Sequence, residues 1–80
     1  MDGNAAMEMT DVAVVRWPGE DRRLDELRQR GVPRLALVAP QAPPFAPVDP
    51  LEDWVRLPAA EVDVRARVLT LVARAEDHLQ

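Results

Sequence analysis

Carboxylates and guanidinium groups are the plentiful chemistry-bearing side chains of this 80-residue sequence, 14 acids against 10 bases for a net charge of -4. The acids fall as adjacent pairs at Glu20/Asp21, Asp25/Glu26, Glu52/Asp53 and Glu76/Asp77. Adjacent carboxylates hold a hard cation only when several converge on one cleft. Three of these pairs are accounted for by helix ends and solvated faces. Glu52/Asp53 stands just ahead of a strand and is the one pair with another use open to it, although an anion in a loop is its plainer reading. His78, near the C-terminus, is the single histidine, with no cysteine to join it as a metal ligand, so it reads as solvent-exposed. Thr10 and Thr70 are the only hydroxyl side chains and neither has a base nearby, which excludes a nucleophilic triad. A phosphate cradle needs several glycines at a strand-to-helix turn, and Gly19 is alone there. The residues argue against an enzyme and imply no cofactor and no metal.

All ten bases are arginine. With Ala, Val and Pro also abundant, that reads as GC-rich coding rather than a demand for guanidinium forks. The acidic balance removes the basic surface that phosphate neutralisation requires, so no direct contact with nucleic acid is expected. The absence of cysteine removes disulfide frameworks. No apolar run is long enough to span a bilayer or serve as a secretory core, so no membrane association is expected. The expected compartment is the cytoplasm of a high-GC bacterium.

The elements that must position these groups follow from periodicity. Residues 1–11 lack a pattern and read as a disordered tail, leaving one domain over residues 12–78. Val12 to Trp17 is a β-branched run closed by Pro18-Gly19, a strand. Glu20 to Arg30 reads as a helix with acids at its start, Arg28 and Arg30 at its end, and Gly31 at the position after the last turn. Its apolar stripe is thin, Leu24 and Leu27, helped by Trp17. Leu35 to Ala39 is a second strand. Both strands are apolar at nearly every position, the pattern of a parallel sheet buried on both faces. Pro40 to Pro50 carries five prolines in eleven residues and must be an extended crossover, with Phe45 pinned into the core. Its P-x-x-P spacings, Pro40/Pro43, Pro44/Pro47 and Pro47/Pro50, also suit docking into an aromatic groove. Trp54 to Leu57 is a third strand, stopped by Pro58. From about Ala59 to Asp77, two adjacent rows trace one broad apolar helix face. One row is Val64, Val68, Leu71 and Ala75; the other is Val62, Ala66, Leu69 and Val72. The order β-α-β-(Pro loop)-β-α predicts an α/β fold with a small, three-stranded, mostly parallel sheet and two helices.

The stretch Glu52-Asp-Trp-Val-Arg-Leu-Pro58, followed by Val64 to Arg74 with Ala66-Arg67-Val68 at its centre, resembles the end of a response-regulator receiver domain. That family closes with two acids, an aromatic, a short strand, Lys-Pro and a helix bearing arginines. The resemblance implies a truncated, flavodoxin-like receiver architecture. The phosphorylation machinery of the family is missing. Arg16 and Trp17 stand where acids would hold magnesium, Ala39 where the phosphorylated aspartate belongs, and Leu57 where the lysine precedes proline. Phosphoryl transfer to a carboxylate needs all three. The resemblance therefore implies a pseudo-receiver, such as precedes the winged-helix DNA-binding domains of transcriptional regulators. It further implies both helices on one face and only the proline strap over the other. Strands apolar on both sides cannot leave a face wet, and a core of this size is marginal alone, so a homodimer is expected, formed through the uncovered sheet face or the last helix. Trp17, Phe45, Trp54, Arg67, Leu71 and Arg74 are the candidate interface residues, although packing also accounts for the tryptophans. The function expected is a non-catalytic regulatory and dimerisation domain. The alternative is a small free-standing adaptor that binds another protein.

Overall fold

A computed structural model describes residues 11–78; the tail expected over residues 1–11 lies outside this range except for Asp11. The elements are β1 (Ala13–Trp17), α1 (Asp21–Arg30), β2 (Arg34–Val38), β3 (Glu52–Arg56) and α2 (Glu61–His78). The strands form one sheet in the order β1-β2-β3, with both pairings parallel. The register aligns Ala13, Arg34 and Glu52 at one end and Trp17, Val38 and Arg56 at the other. The α/β fold read from the sequence is the fold observed, with boundaries moved by one or two residues. β3 starts at Glu52 rather than Trp54, so Glu52 and Asp53 are strand residues and not loop anions.

α1 ends where Gly31 takes a left-handed conformation at φ 69°. Its N–H donates to the Arg28 carbonyl, and Val32 N–H donates to that of Leu27. The missing Cβ is what makes this reversal inexpensive.

Side chains alternate across each strand, so the aligned register sorts them into two cores. Val15, Ala36 and Val38 meet Leu24 and Leu27 of α1 together with Phe45 of the strap. Leu35 and Val55 meet Leu71 of α2, flanked by Val64 and Val68. The two helices thus occupy opposite faces, which corrects the expectation that they share one. The reason lies in the crossovers. β1-α1-β2 and β2-strap-β3 step the same way across the sheet, and parallel connections share one hand, so α1 and the strap must lie on the same side. α2 follows the last strand, has no further strand to reach, and covers the face the crossovers leave bare. Both faces therefore carry a packed layer, and on the α2 side that layer lies over β2 and β3 and leaves Val14 of β1 38% exposed.

The second apolar row of α2 does not join the core. Val64, Val68 and Leu71 turn to the sheet, whereas Val62 and Leu69 remain 73% and 61% exposed. Among the described residues no helix is long and apolar enough to cross a membrane.

Candidate functional site

The buried charge is concentrated at the start of β2 and β3. Arg34 and Glu52 are register partners on the same face, and the side chains of both are fully buried. Glu52 Oε1 accepts from Arg34 Nε at 2.7 Å and from Arg28 Nε at 2.8 Å. Glu52 Oε2 accepts from Arg28 Nη2 at 2.8 Å and from the Val48 N–H at 3.0 Å. Arg34 spends its other nitrogens on the Val32 carbonyl and on Asp49 Oδ2, at 2.9 and 2.6 Å. Burial pushes the Glu52 carboxyl up, but the bonds from Arg28, Arg34 and Val48 outweigh it and hold the group below the usual carboxylate range. The bond to Glu52 raises Arg28 in turn, against the effect of its own burial. Every acceptor position on Glu52 faces a donor, so the carboxylate has no lone pair to offer a cation.

Asp53 points to the other face. Its Oδ1 accepts from the Trp54 N–H at 2.8 Å, and Arg67 approaches Oδ2 at 3.3 Å. Among the described residues no cluster of three or more acidic or histidine side chains is placed to hold a metal ion.

The proline strap is fastened at three points. At its start, Arg56 Nη1 donates to the carbonyls of Ala39 and Ala42, at 3.1 and 2.9 Å. In the middle, Phe45 is buried, edge-on to Trp17 with ring centroids 5.1 Å apart, and Arg28 lies 5.9 Å from its ring. At its end, Asp49 and the Val48 N–H are held by the Arg34–Glu52 pair. Prolines supply no N–H, so a guanidinium provides the donors that a sheet or helix would otherwise give these carbonyls.

The carboxyl ends of parallel strands are where open α/β sheets bind ligands. Here that end is a shallow hollow lined by Trp17, Pro18, Leu37, Ala39, Pro40 and Leu57, with Arg16 as its one charged residue. A second groove runs between β3 and the start of α2, lined by the half-buried Trp54 and Arg56 and the exposed Asp63, Ala66 and Arg67.

The six candidate interface residues divide accordingly. Phe45 and Leu71 are core residues, which removes them from the surface of the single chain because one pins the strap and the other anchors α2. Trp17 is half-buried against Phe45. Trp54 and Arg67 line the β3–α2 groove, and Arg74 is exposed with a bond of 3.4 Å to the Pro50 carbonyl. The side chain of His78 lies outside what the structure describes. The residue missed from the sequence is Arg34. Its signal was available: it opens one strand run as Glu52 opens another, and a buried arginine in register with a buried glutamate is the pairing a parallel sheet permits.

Compared with known proteins, the chain matches no family model, no curated protein and no solved structure.

Proposed function

We propose that this chain is a non-catalytic regulatory domain that pairs with a second copy of itself, a pseudo-receiver serving a transcriptional regulator in the cytoplasm. The observation that carries this reading is the make-up of the sheet's carboxyl end. Arg16 and Trp17, Ala39 and Leu57, which by the resemblance stand at the receiver's magnesium-ligand, phosphoacceptor and lysine positions, sit together around one mostly apolar hollow that holds no carboxylate among the described residues. Glu52 and Asp53, the acids with another use open to them, are engaged by arginines. Such a surface supports contact with protein better than contact with a phosphoryl group. The winged-helix DNA-reading partner belongs to the resemblance, and pairing would set two such readers on a symmetric site.

The test is a fusion of this chain to a monomeric DNA-reading domain. Affinity for a two-half-site DNA should exceed that of the unfused reader by about tenfold or more, the gain expected of linked binding. Equal affinities would overturn the reading. A parallel titration with magnesium and an acyl phosphate should leave the amide spectrum unchanged. A shift of the Glu52 or Asp53 amides would restore the receiver chemistry that this proposal denies.

The adaptor reading has one observation in its favour: Pro43, Pro44 and Pro47 face outward on the strap while Phe45 faces in. Binding of the chain to an isolated aromatic-groove domain that reads P-x-x-P would favour it over pairing.

A further inference from the structure

The two edges of the sheet are treated differently by the chain. In β1 the backbone groups of Val14 and Arg16 point away from β2, because those of Ala13 and Trp17 bond toward it. The edge is largely closed. Arg23 Nη1 donates to the Val14 carbonyl at 2.9 Å, the Arg16 N–H donates to Glu20 Oε1 at 2.7 Å, and the Arg16 carbonyl accepts from the Glu20 N–H. Open edges invite another strand, and side-chain blocks of this kind are how a chain prevents it.

β3 is the opposite edge. Leu51 and Leu57 bond to β2, so the groups of Glu52, Trp54 and Arg56 point outward. Glu52 N–H is taken by the Asp49 carbonyl and Trp54 N–H by Asp53 Oδ1. Among the described residues the carbonyls of Glu52, Trp54 and Arg56 and the Arg56 N–H have no partner. In an antiparallel pair opposed residues exchange both bonds, so Arg56 facing Trp54 of a second copy uses the Arg56 N–H with the Trp54 carbonyl and the Trp54 N–H with the Arg56 carbonyl.

We propose that β3 pairs antiparallel with β3 of a second copy about a two-fold axis at Val55, joining two three-stranded sheets into one of six. The inference rests on the pairing reading above and names its surface. In this register each Arg56 N–H donates to the Trp54 carbonyl of the other copy, each Trp54 N–H turns from Asp53 Oδ1 to the Arg56 carbonyl of the other copy, and the bond to Glu52 N–H stays intact. Pro58, lacking an N–H, stops the ladder at the next position.

The side chains agree with the backbone. Trp54 and Arg56 become cross-strand neighbours, an aromatic–guanidinium pairing of the kind already present within one copy, where Arg56 lies 5.5 Å from the Trp54 ring. Val55 faces Val55 on the other side. Asp53, Asp63, Arg56 and Arg67 balance along this edge, so a chain of net charge -4 meets its copy where the local charge is neutral. A second copy is favoured over a free peptide because the ladder is short. A flexible segment would gain the same few bonds and lose ordering entropy, whereas a preformed edge loses little.

Mass by light scattering and amide hydrogen exchange, both followed on the full chain from about 10 μM to about 1 mM, test this together. The expected result is a mass that doubles, with Arg56 N–H exchange slowed about tenfold or more in step with it. A doubled mass with Arg56 unprotected throughout would place the pairing elsewhere, overturning this edge and leaving the function reading in force. A monomer across the range would overturn both. Protection of Arg56 in a monomer would mean that the chain's own residues cover the edge, and would also overturn the proposal. Two variants separate backbone from side chain. Arg56→Ala keeps the N–H and should lower association by no more than about threefold, while Arg56→Pro, folded by circular dichroism, should abolish it. Equal association of Arg56→Pro and the parent chain would sink the register.

Discussion

At the scale of single residues, Glu52 shows how little a carboxylate's identity says about its use. In isolation, Glu52/Asp53 is the pair with metal-binding or catalytic potential; in the folded chain it is the most fully committed acid. An ion pair that is wholly buried contributes little over an apolar substitute, yet removing one partner is costly because the other charge is then stranded. Glu52→Gln leaves Arg34 buried with only Asp49 as a carboxylate partner, and should cost about 3 kcal/mol in urea unfolding. Arg34→Met replaces the charge by an apolar chain but strands Glu52, so it should cost a similar amount. The pair Glu52→Gln with Arg34→Met should recover part of that loss, a coupling that a double-mutant cycle reads directly. The same carboxylate sets a pH dependence. Its folded pKa lies below its unfolded value, so its bonds from Arg28, Arg34 and Val48 contribute stability that is fully present above about pH 4.3, the ordinary value for glutamate, and is lost as pH falls through the folded pKa. The urea midpoint should therefore drop on acidification below about pH 4, and the drop should be shallower in Glu52→Gln. A midpoint that falls equally in both proteins would locate the acid sensitivity in other carboxylates.

Among the elements, legibility tracked how local the cause was. α1 and its end at Gly31 could be read because start acids, end bases and the glycine all lie within one short segment. The strap could be read because proline's missing donor acts wherever it stands. The helix faces could not, because the side on which α2 lies is set by the hand of two earlier crossovers and not by anything within α2. Its apolar breadth even pointed the wrong way, merging a buried and an exposed row into one face. The buried ion-pair network is illegible for a related reason: Arg28, Arg34, Asp49 and Glu52 come from four segments, and in a chain whose bases are all arginine nothing local marks the one that is buried. The two rows of α2 now make a clean comparison. Leu71→Ala should destabilise by about 3 kcal/mol, the cost of a cavity under the helix. Leu69→Ala, two residues away, should change monomer stability by less than about 0.5 kcal/mol. In the strap, Phe45→Ala should cost about 3 kcal/mol through loss of its contacts with Trp17 and the α1 core, whereas Pro47→Ala, exposed and unpinned, should leave thermal unfolding nearly unchanged.

For the molecule as a whole, the balance of size and burial makes association a matter of stability as well as function. In a domain this small, hydrophobic burial and ordering entropy nearly cancel, and this chain divides its core into two thin layers, one per face of a three-stranded sheet. It compensates within the monomer by fastening a strap with arginines and closing one sheet edge with Glu20 and Arg23. The other edge keeps its unpaired groups, and bonding them to a second copy links folding to concentration by mass action. Once pairs predominate, each tenfold rise in concentration should stabilise each subunit by half of RT ln 10, about 0.7 kcal/mol. For a domain of this length that is a rise in melting temperature of about 3–5 °C per decade of concentration. Arg56→Pro should flatten this slope, whereas Leu69→Ala should leave it unchanged, because the outward row of α2 is remote from the paired strands. A slope that vanished in Leu69→Ala and persisted in Arg56→Pro would move the interface from the strand edge to the helix.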